Sequence, residues 1–427
     1  MIVSERTYRF NYNIWLIILA VSLIFRLPAT LLLILFVAYN LFFYKHLKFT
    51  KKRLLLIGLI ASPFILDLIF LWNNELLQEG LKHAEKRISM LLLPFFILTQ
   101  NHRFNTALIV RCYAILTTLI LSFCLIRFAV ISPELWVKYL NGVDLWEMGY
   151  RFASSINMHA PALNLHVAFV VVINFYFLKE GFTKVSKKYQ IWRVIIFIAS
   201  IIILFYVNTR LAIVNAFIGI LLITFYKKIS VTEFKANKKL VLGLALFITL
   251  AIAFVKVFPY SIEKFTSVTF NNLDKVGKLD DLENPEKTAY NGLVTRLSIW
   301  KSGLELGARN PVLGVGAADG KKELIKYFKE THQNFLFKYE FPVHNQYLDF
   351  WIKFGLLGAL IAFIYVGLFA YIGFTSKQLL CVFFFILFAT SNFVDDFLIR
   401  FDGIVFSALW LSIFTKHALD DPQNKLK

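Results

Sequence analysis

The stretch NTALIVRCYAILTTLILSFCLIRFAV, residues 105–130, decides the class of protein. It is apolar over almost its whole length and exceeds the roughly 20 residues that an α-helix needs to cross the hydrocarbon core of a bilayer. Similar apolar runs, bounded by charged or turn-forming residues, recur along the chain and predict twelve membrane-spanning helices. They are expected near residues 11–26, 28–44, 53–72, 88–101, 105–130, 161–178, 191–207, 211–227, 240–257, 346–374, 378–394 and 402–416.

The overall composition agrees with a membrane protein. Hydrophobic residues make up 58% of the 427 residues and charged residues 17%, whereas soluble domains have about 45–50% apolar and about 25% charged residues. This balance excludes a soluble globular fold and a disordered chain. The three cysteines lie within apolar runs and show no metal-ligand spacing, so we expect them to be small buried side chains.

The net charge of +19 concerns the orientation of the helices in the membrane. Short cytoplasmic loops of membrane proteins carry an excess of Lys and Arg. Three basic clusters, at residues 45–53, 179–193 and 227–239, fall on one side of the predicted twelve-helix topology. We therefore expect both termini in the cytoplasm, basic clusters that face anionic membrane lipid, and no nucleic-acid partner.

One segment is polar and differs from the rest. Residues 259–345 separate the first nine predicted helices, in residues 1–258, from the last three helices and the cytoplasmic tail, in residues 346–427. The topology places this long loop outside the cytoplasm, and such loops are commonly functional. Two short helices are expected in it. They are predicted through Leu297, Trp300 and Leu304, which share a helical face, and at residues 321–328.

Two arginines near the outer face are candidate anion-binding residues. Arg210 ends the very short turn Asn208-Thr209-Arg210 between two predicted spans, which holds the guanidinium near the ends of two helices. From position alone, an interfacial anchor is the simpler interpretation of Arg210. Arg296 opens the segment 295–300, where a guanidinium and the free N–H groups of a helix start can bind an anion together. A solvated loop arginine is the alternative.

A histidine and a group of charged residues complete the candidates at the outer face. His344 ends the polar loop directly before a predicted span. An imidazole titrates near neutrality and can accept a proton from a hydroxyl group. An interfacial histidine with a purely structural role is the alternative. Asp395, Asp396 and Arg400 lie at the outer mouth of the last two spans, where they either bind an acceptor or solvate the turn.

Other motifs carry no catalytic prediction. Asp349 and Lys353 lie one helical turn apart and are expected to form an intrahelical ion pair. His159 and His166 are seven residues apart without a third ligand, so we expect no zinc site. The glycines at 314–316 lack the Lys-Ser/Thr of a P-loop. The sequence therefore predicts no metal and no cofactor.

Taken together, these segments resemble the O-antigen ligase and O-antigen polymerase superfamily of membrane glycosyltransferases, mainly in the C-terminal half. The matching pieces there are Arg296 followed by Trp300, Asn310-Pro311-Val312-Leu313-Gly314-Val315-Gly316, His344-Asn345-Gln346-Tyr347-Leu348, Gly355-Leu356-Leu357-Gly358 and the acidic turn at 395–403. Upstream, Thr209-Arg210 is similar to the Ser-Arg pair of the family. Met158-His159-Ala160-Pro161 is loosely similar to its His-Pro turn, from which it departs because Ala160 follows the histidine.

The resemblance implies an all-α, GT-C-like fold of about twelve transmembrane helices with one large periplasmic loop, in the bacterial inner membrane. It also implies a metal-independent, inverting transfer of glycan from a polyprenyl-pyrophosphate donor. Arg210 and Arg296 would bind the pyrophosphate, and His344 would act as general base or orient the acceptor hydroxyl. The residues expected to bind the acceptor or to support the site are Asn345, Trp300, Asp395, Asp396, Arg400 and His159.

The leading hypothesis is an O-antigen ligase that transfers the lipid-linked glycan to a hydroxyl of lipid A-core. A polymerase that extends the lipid-linked glycan, or a protein O-oligosaccharyltransferase, would share the same motifs. A lipid-glycan flippase or other transporter is the alternative from a different class, and it should line a midplane path with charges. The predicted midplane charges are few and the candidate residues gather at the outer face, which favours an enzyme. These midplane charges are Asp67, Arg127, Asp349 and Lys353.

Overall fold

The structure is a computed structural model that describes residues 4–181, 186–225, 238–257, 270–290 and 292–421. All regular secondary structure in these residues is helical, apart from one isolated bridge between Leu47 and Gln100. The α-helices are α1 (Glu5–Ser22), α2 (Arg26–Phe42), α3 (Lys51–Ile60), α4 (Ser62–Ile69), α5 (Leu77–Arg87), α6 (Ser89–Thr99), α7 (Thr106–Ile131), α8 (Pro133–Leu140), α9 (Met148–Ser154), α10 (Ala160–Gly181), α11 (Lys187–Val207), α12 (Arg210–Phe225), α13 (Lys238–Val257), α14 (Pro285–Thr288), α15 (Leu293–Arg309), α16 (Gly320–Glu330), α17 (Asn334–Tyr339), α18 (Gln346–Thr375), α19 (Leu379–Val394) and α20 (Phe401–Asp420).

Every predicted span coincides with helical structure, with ends that differ by a few residues. The expectation of a single helix at 53–72 is wrong, however. Helix α3 ends at Ile60 and α4 begins at Ser62, because Pro63 donates no N–H to the preceding turn and restricts the backbone before it. Helix α6, by contrast, continues through Pro94. Pro63 thus lies in the first turn of a new helix, whereas the helix that contains Pro94 continues on both sides of it.

Within the described residues, four helices are long and apolar enough to cross a membrane, namely α7, residues 160–179 of α10, α11 and α18. Shorter apolar helices are α2, α12, residues 245–257 of α13, and α19. The chain is therefore a multi-pass helical membrane protein. The total of twelve spans and their orientation stay predictions. Lys184, residues 227–237 of the third basic cluster and residues 259–269 of the polar loop lie outside the described residues.

The chain divides into two compact units. The first consists of Met1–Tyr44, His102–Ile262 and Lys377–Leu387, and the second of Lys45–Asn101, Glu263–Ser376 and Phe388–Lys427. In the first unit, α10 is central. It packs against α7, α11 and α12, and 83% of the residues in its most apolar stretch are buried. The buried His166 lies in this core, where its Nδ1 is 3.1 Å from the hydroxyl of Tyr113. His166 is thus a core histidine.

In the second unit, α20 packs on α6, and the polar loop adds a small helical core of its own. Buried side chains of α15, α16 and α17 form one cluster with the start of α18, including Val294, Leu324, Phe335 and Leu348. The sequence predicts two helices in this loop, and the structure adds the short α14 and α17. The loop is therefore a packed extension of the second unit that positions residues around the start of α18.

Small residues let α15 approach α18 closely. Ser298, Ser302 and Gly303 lie on the buried side of α15, and a Cβ added at Gly303 would lie 2.9 Å from the Leu348 side chain. The face predicted from Leu297, Trp300 and Leu304 lies beside this buried one. Leu304 is 51% exposed and Trp300 is half-buried. The sequence does not reveal this buried side, because serine, threonine and glycine residues interrupt its aliphatic residues.

Helix α18 is broken at Gly355, where φ is +64° and ψ is −157°. The N–H groups of Val315 and Gly316 donate at 2.9 and 3.0 Å to the two α18 carbonyls that precede the break. A Cβ at Gly355 would collide with the backbone of the same segment, so only glycine fits. Two pieces of the sequence pattern, 310–316 and 355–358, therefore meet in one backbone contact. The glycines serve this close approach.

Candidate active site

His344 lies directly before α18 and contacts an acid from the turn after α19. Its Nδ1 is 3.2 Å from Asp395 Oδ1, although the two residues are 51 positions apart. Next to His344, the side chain of Asn345 caps α18 by accepting the Leu348 N–H at 3.1 Å. The Asp395 N–H donates to the Ser391 carbonyl at 2.9 Å and continues the hydrogen bonding of α19. Both members of the His–Asp pair are thus fixed at helix ends.

Asp396 lies behind this pair and differs from Asp395 in its protonation. Its N–H donates to Asp395 Oδ1 at 2.9 Å, but neither of its buried carboxyl oxygens has a partner among the described residues. Burial, together with the charge of the neighbouring Asp395, raises the pKa of Asp396 well above its ordinary value. Burial also opposes the charge of Asp395, but the hydrogen bonds from His344 and Asp396 outweigh it and hold the pKa of Asp395 below its ordinary value. The opposite shifts of the two pKa values favour the proton on Asp396 and the charge on Asp395.

The same three residues form a candidate ligand set for a cation. One ligand atom each from His344, Asp395 and Asp396 lies within 4.8 Å of the others. Imidazole and carboxylate are ligands that divalent metals accept. A single charge on the carboxyl pair weakens the attraction, and the positive charge of Arg400 acts on both carboxyls as well. The metal-independent reaction that the resemblance implies stays a prediction.

Helix α15 brings Arg296 and Trp300 to the start of α18. Arg296 lies in the first turn of α15, which begins at Leu293, and no partner for its guanidinium is found among the described residues. Trp300, one turn further along the same face, donates its Nε1–H to the carbonyl of His344 at 3.2 Å. Residues four apart on a helix lie about 5–6 Å from each other, so Arg296 lies on the same side of α15 as Trp300, the residue that contacts His344.

A cavity of about 240 Å³ opens beside these residues. Its lining is mainly aromatic and aliphatic and comes from α15 and from both sides of the break in α18, with Asn345 as its polar member. The lining residues are Trp300, Leu304, Asn345, Tyr347, Leu348, Trp351, Ala359 and Phe363. An apolar cavity therefore lies one helical turn along α15 from Arg296, for which the described part of the chain offers no ion-pair partner.

Arg210 is the first residue of α12, not part of the turn itself. Helix α11 ends at Val207, and Asn208 adopts the left-handed conformation, with φ 51° and ψ 48°, so that the chain reverses within two residues. Asn164 Nδ2 donates to Thr209 Oγ1 at 2.8 Å and ties the turn to α10. The turn fixes Arg210 at a helix N-terminus, where anions are favoured.

His159 directly precedes α10, and its carbonyl accepts the Leu163 N–H at 2.9 Å. The edge of its ring faces the Tyr150 ring, with the centroids 6.3 Å apart. His159 and Arg210 belong to the first unit. In the second unit the structure brings together the remaining candidates, His344, Asp395, Asp396, Arg400, Asn345, Trp300 and Arg296.

Sequence reasoning missed residues that hold the turn after α19. Asp67, predicted as a midplane charge, forms a buried ion pair with Arg87 at 2.7 Å. Gln346 accepts the Leu398 N–H at 2.6 Å. The predicted pair of Asp349 and Lys353 is confirmed at 2.8 Å. The sequence signal for this arrangement is Gln346, a polar residue at the start of an otherwise apolar helix.

No curated protein matches the chain. Residues 195–363 match the family model described as O-antigen ligase. The matched segment includes Arg210, Arg296 and His344, whereas His159 and the Asp395–Arg400 turn lie outside it. Its members are membrane enzymes that act on lipid-linked glycans. This segment of the chain is thus similar to the O-antigen ligase family, in agreement with the resemblance that the sequence motifs indicate.

Proposed function

We propose that this protein is an O-antigen ligase of the bacterial inner membrane. It transfers a glycan from a polyprenyl-pyrophosphate donor to a hydroxyl of lipid A-core at the periplasmic face. The observation that carries the proposal is the 3.2 Å contact between His344 and Asp395 at the start of α18. A structural membrane protein would not need a buried acid that contacts a histidine at a helix start.

His344 is proposed as the general base. Because Asp395 is the charged member of the carboxyl pair, the imidazole N–H on Nδ1 donates to it, which leaves the lone pair on Nε2. Nε2 takes the proton of the acceptor hydroxyl as its oxygen bonds to the anomeric carbon of the first sugar. The bond from that carbon to the pyrophosphate oxygen breaks, and its electron pair leaves with the pyrophosphate. Attack opposite the leaving group inverts the configuration.

Arg210 and Arg296 are proposed to bind the pyrophosphate and to stabilise the charge that grows on it. Each lies at or within the first turn of a helix, where backbone N–H groups add to the attraction for an anion. Fixed guanidiniums bind phosphate oxygens in a bidentate manner and act where charge develops in the transition state. In this proposal they take the role that a divalent cation plays in other phosphate-transfer sites.

The cavity beside Trp300 supports a donor that is both anionic and apolar. Arg296 lies one turn away from Trp300 and faces the charged group, while the aromatic lining suits an apolar chain or the face of a sugar ring. A soluble nucleotide sugar would have no use for an apolar lining of this kind. The donor of the proposed reaction has both an anionic pyrophosphate and an apolar polyprenyl chain.

Single alanine variants at Arg210, Arg296 and His344, in a host whose own ligase is deleted, test the assignment. We expect each to reduce long-chain lipopolysaccharide by about 10²-fold or more, since each removes a charge-stabilising or proton-accepting group. His332→Ala and Arg309→Ala, exposed residues of the same loop, are matched controls and should restore it fully.

Full restoration by all three site variants at normal membrane levels would contradict the site. A different product would change the reaction instead. If the wild type restores no lipopolysaccharide but lengthens the lipid-linked chains, the polymerase replaces the ligase. Glycan found on protein would point to the O-oligosaccharyltransferase.

A further inference from the structure

Leu398, in the turn that follows Asp395 and Asp396, has both backbone polar groups bound by side chains from distant helices. Its N–H donates to Gln346 Oε1 at 2.6 Å, and its carbonyl accepts the Nε–H of Arg87 at 2.9 Å. Leu398, Gln346 and Arg87 are each fully buried. Water cannot compete for these bonds, so the two side chains determine where this turn lies.

Gln346 is the first residue of α18 and lies two positions after His344. Its amide nitrogen donates to Asp349 Oδ2 at 3.3 Å, and the same oxygen accepts a hydrogen bond from Lys353 at 2.8 Å. This second bond fixes the orientation of the amide, because a flipped amide would place its carbonyl oxygen against the carboxylate of Asp349. The Gln346 oxygen is therefore held towards Leu398.

Arg87 ends helix α5 and approaches Leu398 from the other side. Its Nη1 donates to Asp67 at 2.7 Å, and His83 contacts the same carboxylate oxygen at 3.1 Å. The guanidinium also lies over the ring of Phe350, 4.7 Å from its centroid. A buried ion pair of this kind contributes little to stability compared with apolar packing. Its specific geometry is better explained by positioning.

We propose that Gln346 and Arg87 are positioning residues that hold the Asp395 carboxylate against His344. The inference rests on the proposed function, because it gives these residues their role in the transfer reaction. Gln346 follows His344 by two positions in the chain, and Leu398 follows Asp395 by three. The hydrogen bond between Gln346 and Leu398 therefore determines how the segment that carries His344 lies against the turn that carries Asp395. Arg87 holds the far side of the turn. A misplacement of about 1 Å in a reacting group costs roughly 10²-fold in rate.

Gln346→Met tests the proposal on the full-length protein in lipid nanodiscs, with purified lipid-linked glycan as donor and lipid A-core as acceptor. Methionine keeps the length of the side chain but offers no amide oxygen to Leu398. We expect kcat to fall by about 10- to 100-fold, with the KM values of donor and acceptor within about twofold of the wild type, since neither side chain is assigned to substrate.

A second variant removes the other support without leaving a lone buried charge. Asp67→Leu combined with Arg87→Met replaces the ion pair by apolar groups and should lower kcat with the same unchanged KM values. Asn40→Leu in the first unit is the matched control. Its amide is equally buried and bonds Tyr12 and the Phe36 carbonyl, away from the turn. It should leave kcat within about twofold of the wild type.

The outcomes separate the two proposals. If the wild type transfers glycan and both site variants keep its kcat, Gln346 and Arg87 are not positioning residues. The inference also fails if kcat falls to the same extent in the site variants and in Asn40→Leu, because a general loss of folded, active protein would lower the apparent kcat of all three. A wild type that transfers no glycan to any acceptor contradicts the proposed function itself.

Discussion

The two turns that carry candidate residues are held in different ways. The turn at 208–209, before Arg210, reverses the chain through the left-handed Asn208, and the amide of Asn164 ties it to α10. The turn at 395–400 contains no residue with a positive φ, and its short-range hydrogen bonds, such as that from the Asp396 N–H to Asp395, are joined by long-range ones. Side chains 52 and 311 positions away bind Leu398 and hold that turn in place.

This difference separates local from long-range control of a site. A two-residue reversal depends on backbone conformation, so damage to it should appear first as a loss of stability. A turn held by buried polar side chains depends on their geometry, so damage there should appear first in turnover. Variants in each turn can test whether the two kinds of control are separable.

The largest effect is expected from Asp395→Asn. An amide keeps the shape of the side chain but cannot carry the charge that orients the imidazole of His344. We expect kcat to fall by about 10²–10⁴-fold, the range contributed by general acid–base catalysis. Transfer of glycan by the purified variant measures it.

Asp396→Asn is the matched control in the same turn. Because burial and the charge of Asp395 raise the pKa of Asp396 and favour its neutral form, asparagine replaces that form by a neutral group of the same shape, and kcat should stay within a few-fold of the wild type. An equal loss in both variants would mean that the turn acts as a unit and that Asp395 has no separate role.

A smaller effect is expected in the other turn, from a pair of variants at Asn208. Asn208→Val places a β-branched residue in the left-handed region and should destabilise the protein by about 1–2 kcal/mol. Asn208→Gly should be close to neutral, since glycine adopts this conformation freely. Thermal unfolding in detergent distinguishes them. Equal melting temperatures for the two variants would show that the turn does not depend on the conformation of this residue.

The contrast between the turns also explains how much of the molecule could be predicted. Helices α7, α10 and α11 could be predicted from apolar runs, because a membrane-spanning helix needs a long and continuous hydrophobic segment. The reversal before Arg210 could be predicted as well, since a connection of two residues between spans allows few backbone conformations. His344 and Asp395 could each be named as candidates.

The contact between them could not be predicted from the sequence. A hydrogen bond across 51 positions leaves no periodic pattern, and Arg87 looks the same in the sequence whether it lies in solvent or pairs with Asp67 in the core. The break in α18 is a similar case. Gly355 is one glycine among many until the 310–316 segment is seen to pack against it.

The raised pKa of Asp396 gives a further, smaller effect on stability. In the unfolded chain an aspartate titrates near 3.8, so the folded protein holds a proton that the unfolded chain releases above that pH. The stability of the wild type should therefore decrease as the pH rises from about 4 towards neutrality.

Asp396→Asn removes this proton linkage. The variant should unfold at a temperature a few degrees higher than the wild type at pH 7, and the difference should shrink as the pH approaches 4. Melting curves over this pH range measure it. A difference that is constant with pH would show that the carboxyl does not hold its proton in the folded protein.

The smallest effect on activity is expected from removing divalent cations. This experiment tests whether the turn at 395–400 orients His344 or binds a metal ion. His344, Asp395 and Asp396 have the ligand atoms for a cation, but Asp396 holds a proton and Arg400 lies near enough to act on both carboxyls. If the two arginines stabilise the leaving pyrophosphate, dialysis against EDTA should leave kcat unchanged to within about twofold. A loss of activity that Mg²⁺ or Mn²⁺ restores in the wild type would overturn this. In that case the three side chains act as ligands, and His344 cannot use Nδ1 to orient itself as the base.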